Sequence, residues 1–203
     1  MRKLKISPDL NDLTELSNFV QLIKNPWKKE DLILPNVSKQ VLENFINEAK
    51  NRKSISEKVL TSKPFSKRKG LICLFSGSSG TEKTMAAQVI ASRLELDLYR
   101  IDLSLAVNKY IGETEKNLKK IFDAAENGGA ILLFEEADAL FGKRTEIKDA
   151  HDRYSNTDTN YLLSAIENYR GIAILSSNRK SNIDSGFTRR LRYVIEFSKQ
   201  DSD

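Results

Sequence analysis

The sequence predicts an α/β protein, a three-layer α/β/α arrangement around a five-stranded parallel sheet, preceded by a short helical N-terminal extension. Three observations carry that expectation. Apolar runs at residues 71–75, 96–101, 130–134, 172–175 and 192–197 read as buried strands. Helical periodicity fills the gaps at 85–94, 113–126 and 159–169, the last with Leu162, Leu163 and Ile166 on one face. Glycines punctuate the pattern: Gly128-Gly129 stops the second of these helices and Gly171 the third. Strands that alternate with helices call for a parallel sheet covered on both faces.

Ahead of residue 70 the pattern changes. Residues 9–24 and 36–52 read as helices joined by a turn at Asn25-Pro26-Trp27. The expected organisation is therefore a helical extension over 1–26, a linker and helix over 27–69, the α/β core over 70–198 and a polar tail over 199–203. At 203 residues, the chain is long enough to bury one substantial core.

Composition narrows the class. Hydrophobic residues make up 39% and charged residues 30%, which argues against wholesale disorder. No apolar run approaches the length needed to span a bilayer, and the start, MRKLKISPDLND, lacks the apolar stretch of a secretory signal. The single cysteine, Cys73, falls within the first core strand, so it reads as a packed thiol and no disulfide framework is possible. A cytoplasmic location is expected. The net charge of +5 gathers at Arg52, Lys53, Lys63, Lys67, Arg68 and Lys69, which reads either as a polyanion patch or as a solvated linker.

The chemistry concentrates in two places. Residues 71–84 read LICLFSGSSGTEKT, a strand followed by small residues and a Lys-Thr pair. A phosphate tail is held best by several backbone N–H groups at a helix N-terminus, backed by one ammonium. Gly77, Ser78, Ser79, Gly80, Thr81, Glu82, Lys83, Thr84 and Met85 would form that cradle. Lys83 would reach the terminal phosphates, and the Thr84 hydroxyl would ligate Mg²⁺. About fifty residues on, the run at 131–134 ends in Glu135-Glu136. At such a strand end the first acid serves the metal and the second polarises the attacking water. ATP and Mg²⁺ are the implied ligands, and a P-loop NTPase fold is expected.

With these motifs in place, residues 27–197 resemble the large ATPase subdomain of AAA (AAA+) ATPases of the bacterial single-chain type. The blocks that carry the resemblance are the loop at 77–84, KYIGETEKNL, LLFEEADALFGKR, and ILSSN through FTRRLR. It implies that Asn178 positions the attacking water beside Glu136. It also implies that Arg190 and Arg192, with Arg189 adjacent, project arginine fingers into a neighbouring subunit, where a planar permanent cation suits developing phosphoryl charge. Tyr110 and Ile111 resemble a central-pore loop that grips a polypeptide, against a reading as core packing. His151 reads as a surface loop residue.

Three departures qualify the resemblance. Glu82 occupies the position of the loop's second glycine, where a left-handed backbone would cost about 1–2 kcal/mol. Glu135 stands where the family has aspartate, so its carboxylate reaches about one bond length further. The sequence after the last strand is a polar tail with no helix, which reads as a missing lid, weakens the expectation of a ring and admits a truncated product. The expected function is ATP hydrolysis coupled to remodelling of a protein client, with turnover impaired. The alternatives are a nucleotide-binding regulatory subunit and, third, a basic nucleic-acid module. The expected partners are ATP or ADP, further subunits of its own or a related kind, and a protein client.

Overall fold

In the computed structural model, the described residues are 20–24, 26–59, 70–103, 114–137, 164–178, 188–189 and 191–198. They form a six-stranded sheet whose spatial order is β1-β3-β4-β5-β2-β6. The strands are β1 (Val20–Ile23), β2 (Leu71–Ser76), β3 (Leu98–Asp102), β4 (Ile131–Glu135), β5 (Ile172–Ser177) and β6 (Tyr193–Glu196). The helices are α1 (Asn36–Val59), α2 (Lys83–Leu94) and α3 (Thr114–Gly128), with residues 164–168 also helical.

β2 to β6 pair in parallel, as the five apolar runs predict. Their side chains alternate between two cores, which makes the three layers. On one face Cys73, Phe75, Leu133 and Ile174 meet Phe45 and Ile46 of α1 and Ala87, Ile90 and Leu94 of α2. On the other, Leu74, Leu132, Phe134 and Leu175 meet Leu118, Ile121 and Phe122 of α3, together with Ile166 and Tyr169. A strand covered on both sides has no polar face, and this is why each reads as a continuous apolar run. Burial of Cys73 pushes its thiol well above the usual range, in keeping with a packed core residue.

The N-terminal expectation needs correcting. Val20–Ile23 is not helical; it adds a sixth, antiparallel strand at the sheet edge, with Val20 opposite Ile101 and Gln21 opposite Arg100. Tertiary pairing with β3 overrides the helical periodicity of so short a segment. Residues 1–19 lie outside the described residues. The turn before α1 includes a short 3₁₀ segment, Lys29–Asp31, and α1 runs seven residues beyond the expected end at 52.

Strand order decides where chemistry can sit. β5 lies between β4 and β2, and all three are parallel, so their C-terminal ends emerge side by side on one sheet edge. In open α/β sheets this edge is where ligands bind.

Candidate nucleotide site

The loop after β2 is fixed at its root and strained at its end. Gly77 N–H donates to Ser177 O at 3.2 Å, which stitches the loop to β5. A Cβ on Gly77 would lie 2.3 Å from Phe197 O and 2.9 Å from Thr81 Oγ1, so only glycine fits. Gly80 takes φ +79°, and Glu82, at the N-cap of α2, takes φ 42° and ψ 15°. A left-handed residue is therefore required where glycine is replaced by glutamate. Glu136 is left-handed as well, at φ 55°. Two strained glutamates flanking one cavity is the kind of local cost that functional sites retain.

Lys83 is buried beneath the loop. Its Nζ donates to Gly77 O at 2.7 Å, Ser78 O at 2.8 Å, Asn178 Oδ1 at 3.2 Å and Thr81 Oγ1 at 3.4 Å. Thr81 in turn donates to Ser78 O at 2.6 Å. Thr84 Oγ1 donates to Glu135 Oε1 at 2.9 Å, bridging the helix start to the end of β4. A cavity of about 310 Å³ opens here, lined by residues 79–85 with Glu135, Glu136, Ser176 and Asn178.

The sequence-predicted residues thus converge. Lys83, Thr84, Glu135, Glu136 and Asn178 come from three chain segments and share one cavity, while Gly77 and Ser78 form the base of the loop. A hydroxyl and a carboxylate oxygen 2.9 Å apart are hard oxygen donors of the kind that Mg²⁺ takes. Glu82 also lines the cavity, and it adds an acidic residue to the loop itself, where an anionic ligand would be cradled.

Arg192 is not at this cavity. Its Nη1 lies 2.9 Å from Glu48 Oε1 and 2.8 Å from Glu48 Oε2 on α1, and its guanidinium stands 5.5 Å from the Tyr193 ring centroid. Arg52, the first of the basic cluster, also binds Glu48, and Tyr193 Oη donates to Glu48 Oε2 at 2.6 Å. Burial opposes ionisation of Glu48, but the bonds from Tyr193 and Arg52 outweigh it and hold its carboxyl below the usual range. Arg189 is exposed. Arg190, Tyr110, Ile111 and His151 lie outside the described residues, as do residues 60–69 of the basic stretch.

Two residues at the site went unread in the sequence. Arg100 of β3 places Nη1 3.6 Å from Glu135 Oε2, and Ser176 of β5 lines the cavity. Arg100 belongs to no motif, and Ser176 lies within the ILSSN block but carried no assigned role there; the pairing of β3 with β4, and of β5 with β2, brings both to the site.

Residues 73–199 match the sequence model of the ATPase family associated with various cellular activities (AAA). The chain belongs to the AAA family. It is a nucleotide-binding domain of the ATPase kind, and among its described residues no helix is long and apolar enough to cross a membrane. An AAA-family ATPase of Sinorhizobium fredii, y4kL, is 29% identical over 188 residues, covering 92% of this chain and 54% of that protein. A proteasome-activating nucleotidase of Methanococcus maripaludis is 28% identical over 83% of this chain and 44% of its own length. The chain therefore spans about half the length of these relatives. Among solved structures, the FIGL-1 AAA domain in complex with ADP superposes with a TM-score of 0.67 at 18% identity, covering 98% of this chain and 65% of that one. Trip13 is named in a further match, an Escherichia coli HORMA:CdnC:Trip13 complex, with a TM-score of 0.63 at 21% identity over 90% of this chain and 70% of that one. At such identities the likeness speaks for the AAA fold.

Proposed function

We propose that this AAA domain binds Mg-ATP in the cavity between Lys83 and Glu135, and couples slow hydrolysis to remodelling of a protein client. The observation that carries the reading is the meeting of Lys83, Thr84, Glu135, Glu136 and Asn178 in one cavity.

Each side chain has a task that its position supports. Lys83 exchanges its bonds to the Gly77 and Ser78 carbonyls for phosphate oxygens, keeping its ammonium inside the loop. Thr84 and Glu135 offer oxygen ligands to Mg²⁺, which when bound neutralises charge on the phosphates. Glu136 accepts the proton of the attacking water, and Asn178 orients that water from the end of β5. The extra methylene of Glu135 and the carboxylate of Glu82 slow turnover, since small misplacement at a reacting centre costs about a hundredfold.

A regulatory subunit that binds nucleotide without turnover is the second reading, favoured by the left-handed Glu82 in the loop. The coupling to a protein client draws support from family membership and from relatives named as proteasome-activating nucleotidases. The test is ATP titration with and without Mg²⁺, followed by a turnover assay with Glu136→Gln as control. Binding with turnover lost in Glu136→Gln supports the enzyme; binding without turnover in either supports the regulator; no binding overturns both.

A further inference from the structure

Glu135 meets a partner at each oxygen, one by a hydrogen bond and one by a longer ion pair. Oε1 accepts from the Thr84 hydroxyl at 2.9 Å, and Oε2 faces Arg100 Nη1 at 3.6 Å. Arg100 is itself held: its Nη2 donates to Gln21 Oε1 at 2.5 Å, and Gln21 stands directly opposite it in the antiparallel β1–β3 register. Gln21 lies ahead of the family-matched region, which begins at residue 73. A relay Gln21–Arg100–Glu135–Thr84 therefore runs from the edge strand into the candidate metal site.

We infer that Arg100, braced by Gln21, is a positioning residue for the Glu135 carboxylate and makes magnesium binding depend on strand β1. The inference rests on the Mg-ATP reading of the same site. Its physical basis is the side chain of Glu135, which has one more rotatable bond than aspartate and so more ways to miss a metal. A planar guanidinium that faces one carboxylate oxygen while its second nitrogen is tied elsewhere favours the rotamers that keep that ion pair and so narrows that freedom. The Arg100 and Glu135 side chains are 41% and 27% exposed, so water screens their attraction and the contribution is chiefly geometric. Charge alone acts in the opposite sense, because a cation beside the acid disfavours a divalent metal. The sign of the effect therefore separates bracing from simple charge.

The test titrates magnesium chloride against the protein at a fixed concentration of a fluorescent ATP analogue. Arg100→Ala is expected to raise the Mg²⁺ midpoint about tenfold, as loss of outer-shell partners does, with Mg-free analogue affinity unchanged. Gln21→Ala should raise it less, and Gln21→Glu, which keeps an acceptor for Arg100, should restore it. An unchanged or lowered midpoint in Arg100→Ala overturns the inference. A double-mutant cycle of Arg100→Ala with Glu135→Gln, read by urea unfolding of nucleotide-free protein, gives an independent arm. Coupling of about threefold in the unfolding equilibrium is expected, and additivity overturns the brace. Should the parent protein bind no analogue, the Mg-ATP reading fails, while the unfolding cycle still decides whether Arg100 braces Glu135.

Discussion

Thr84 Oγ1 stands 2.9 Å from Glu135 Oε1, joining the first turn of α2 to the end of β4 across 51 residues of chain. Under the proposed Mg-ATP reading, the two groups would offer a metal one hydroxyl and one carboxylate oxygen from two different elements. Thr84→Ala removes the hydroxyl and leaves the Lys83 contacts intact. It should weaken nucleotide binding in the presence of Mg²⁺ by about 1–2 kcal/mol, and leave Mg-free binding nearly unchanged. Calorimetric titration with and without chelator checks both halves.

Glu82 combines two faults that separate variants can distinguish. Its φ of 42° is a backbone cost, and an acidic residue lining the cavity is a charge cost wherever its carboxylate faces the phosphates. Glu82→Gln removes only the charge, and Glu82→Gly removes both. At about 6 Å and an effective dielectric near 20, repulsion from one phosphate charge amounts to roughly 3 kcal/mol, reduced by solvent at this half-buried side chain. ATP affinity should rise by about tenfold in Glu82→Gln and further in Glu82→Gly. In stability, strain relief of about 1–2 kcal/mol is partly offset by the looser unfolded chain, about 0.4–1 kcal/mol. Glu82→Gly should therefore unfold at slightly higher urea, and Glu82→Gln at the parent value.

The loop's two glycines should respond differently. An added methyl at Gly77 runs into Phe197 O at 2.3 Å, which is backbone and cannot step aside. At Gly80 a methyl meets nothing within 4 Å, and only the φ of +79° is unfavourable. Gly77→Ala should cost about 1–3 kcal/mol of stability and abolish nucleotide binding, since the loop root moves. Gly80→Ala should cost about 1 kcal/mol and keep binding. Urea unfolding and analogue binding on the two variants check the contrast.

These sites were readable to different degrees, for physical reasons. The five parallel strands announce themselves because burial on both faces leaves continuous apolar runs, and their bounds fall within two residues of expectation. That Lys83, Thr84 and Glu135 would meet is legible because a small-residue turn with a Lys-Thr pair at a helix start, followed by acids at the end of a buried strand, outlines one site in sequence order. β1 is not, because Val20 alone of its four residues is buried and its partner Ile101 lies 81 residues away. Arg100 is hidden for the same reason: its value depends on cross-strand neighbours, Gln21 on one side and the end of β4 on the other. Arg192 carries a different lesson. The resemblance implies a role toward a neighbouring subunit, and within its own chain the side chain is engaged by Glu48, a contact that the motif does not announce.

That engagement is testable in the isolated domain. If Arg192 clamps β6 to α1, Arg192→Ala should lower stability by about 0.5–1 kcal/mol at any protein concentration, reflecting a side chain that is 70% exposed. A residue serving only a neighbour's nucleotide would leave the monomer's unfolding unchanged. Thermal unfolding at two concentrations, with Glu48→Gln for comparison, reads the difference.

A second clamp, between α1 and α2, contributes to the pH dependence of stability on the acid side. Arg93 binds Glu43 through two bonds of 2.8 Å, and Lys29 adds a contact of 3.0 Å. The Arg93 bond is the main reason the Glu43 carboxyl falls from its usual 4.5 to about 2, with burial opposing and Lys29 assisting. The folded carboxyl gives up its proton more readily than the unfolded one, so ionisation favours the fold. The contribution is complete above about pH 4.5 and is lost as the pH falls toward about 2. Glu43→Gln removes it at every pH, at a cost of about 1 kcal/mol near neutrality for a partly exposed pair. The stability gap between parent and Glu43→Gln should therefore be constant from pH 7 to about 5 and close below pH 4.5. Urea midpoints across that range measure it, and a gap that persists at pH 2 would show that Glu43 contributes by packing instead of by charge.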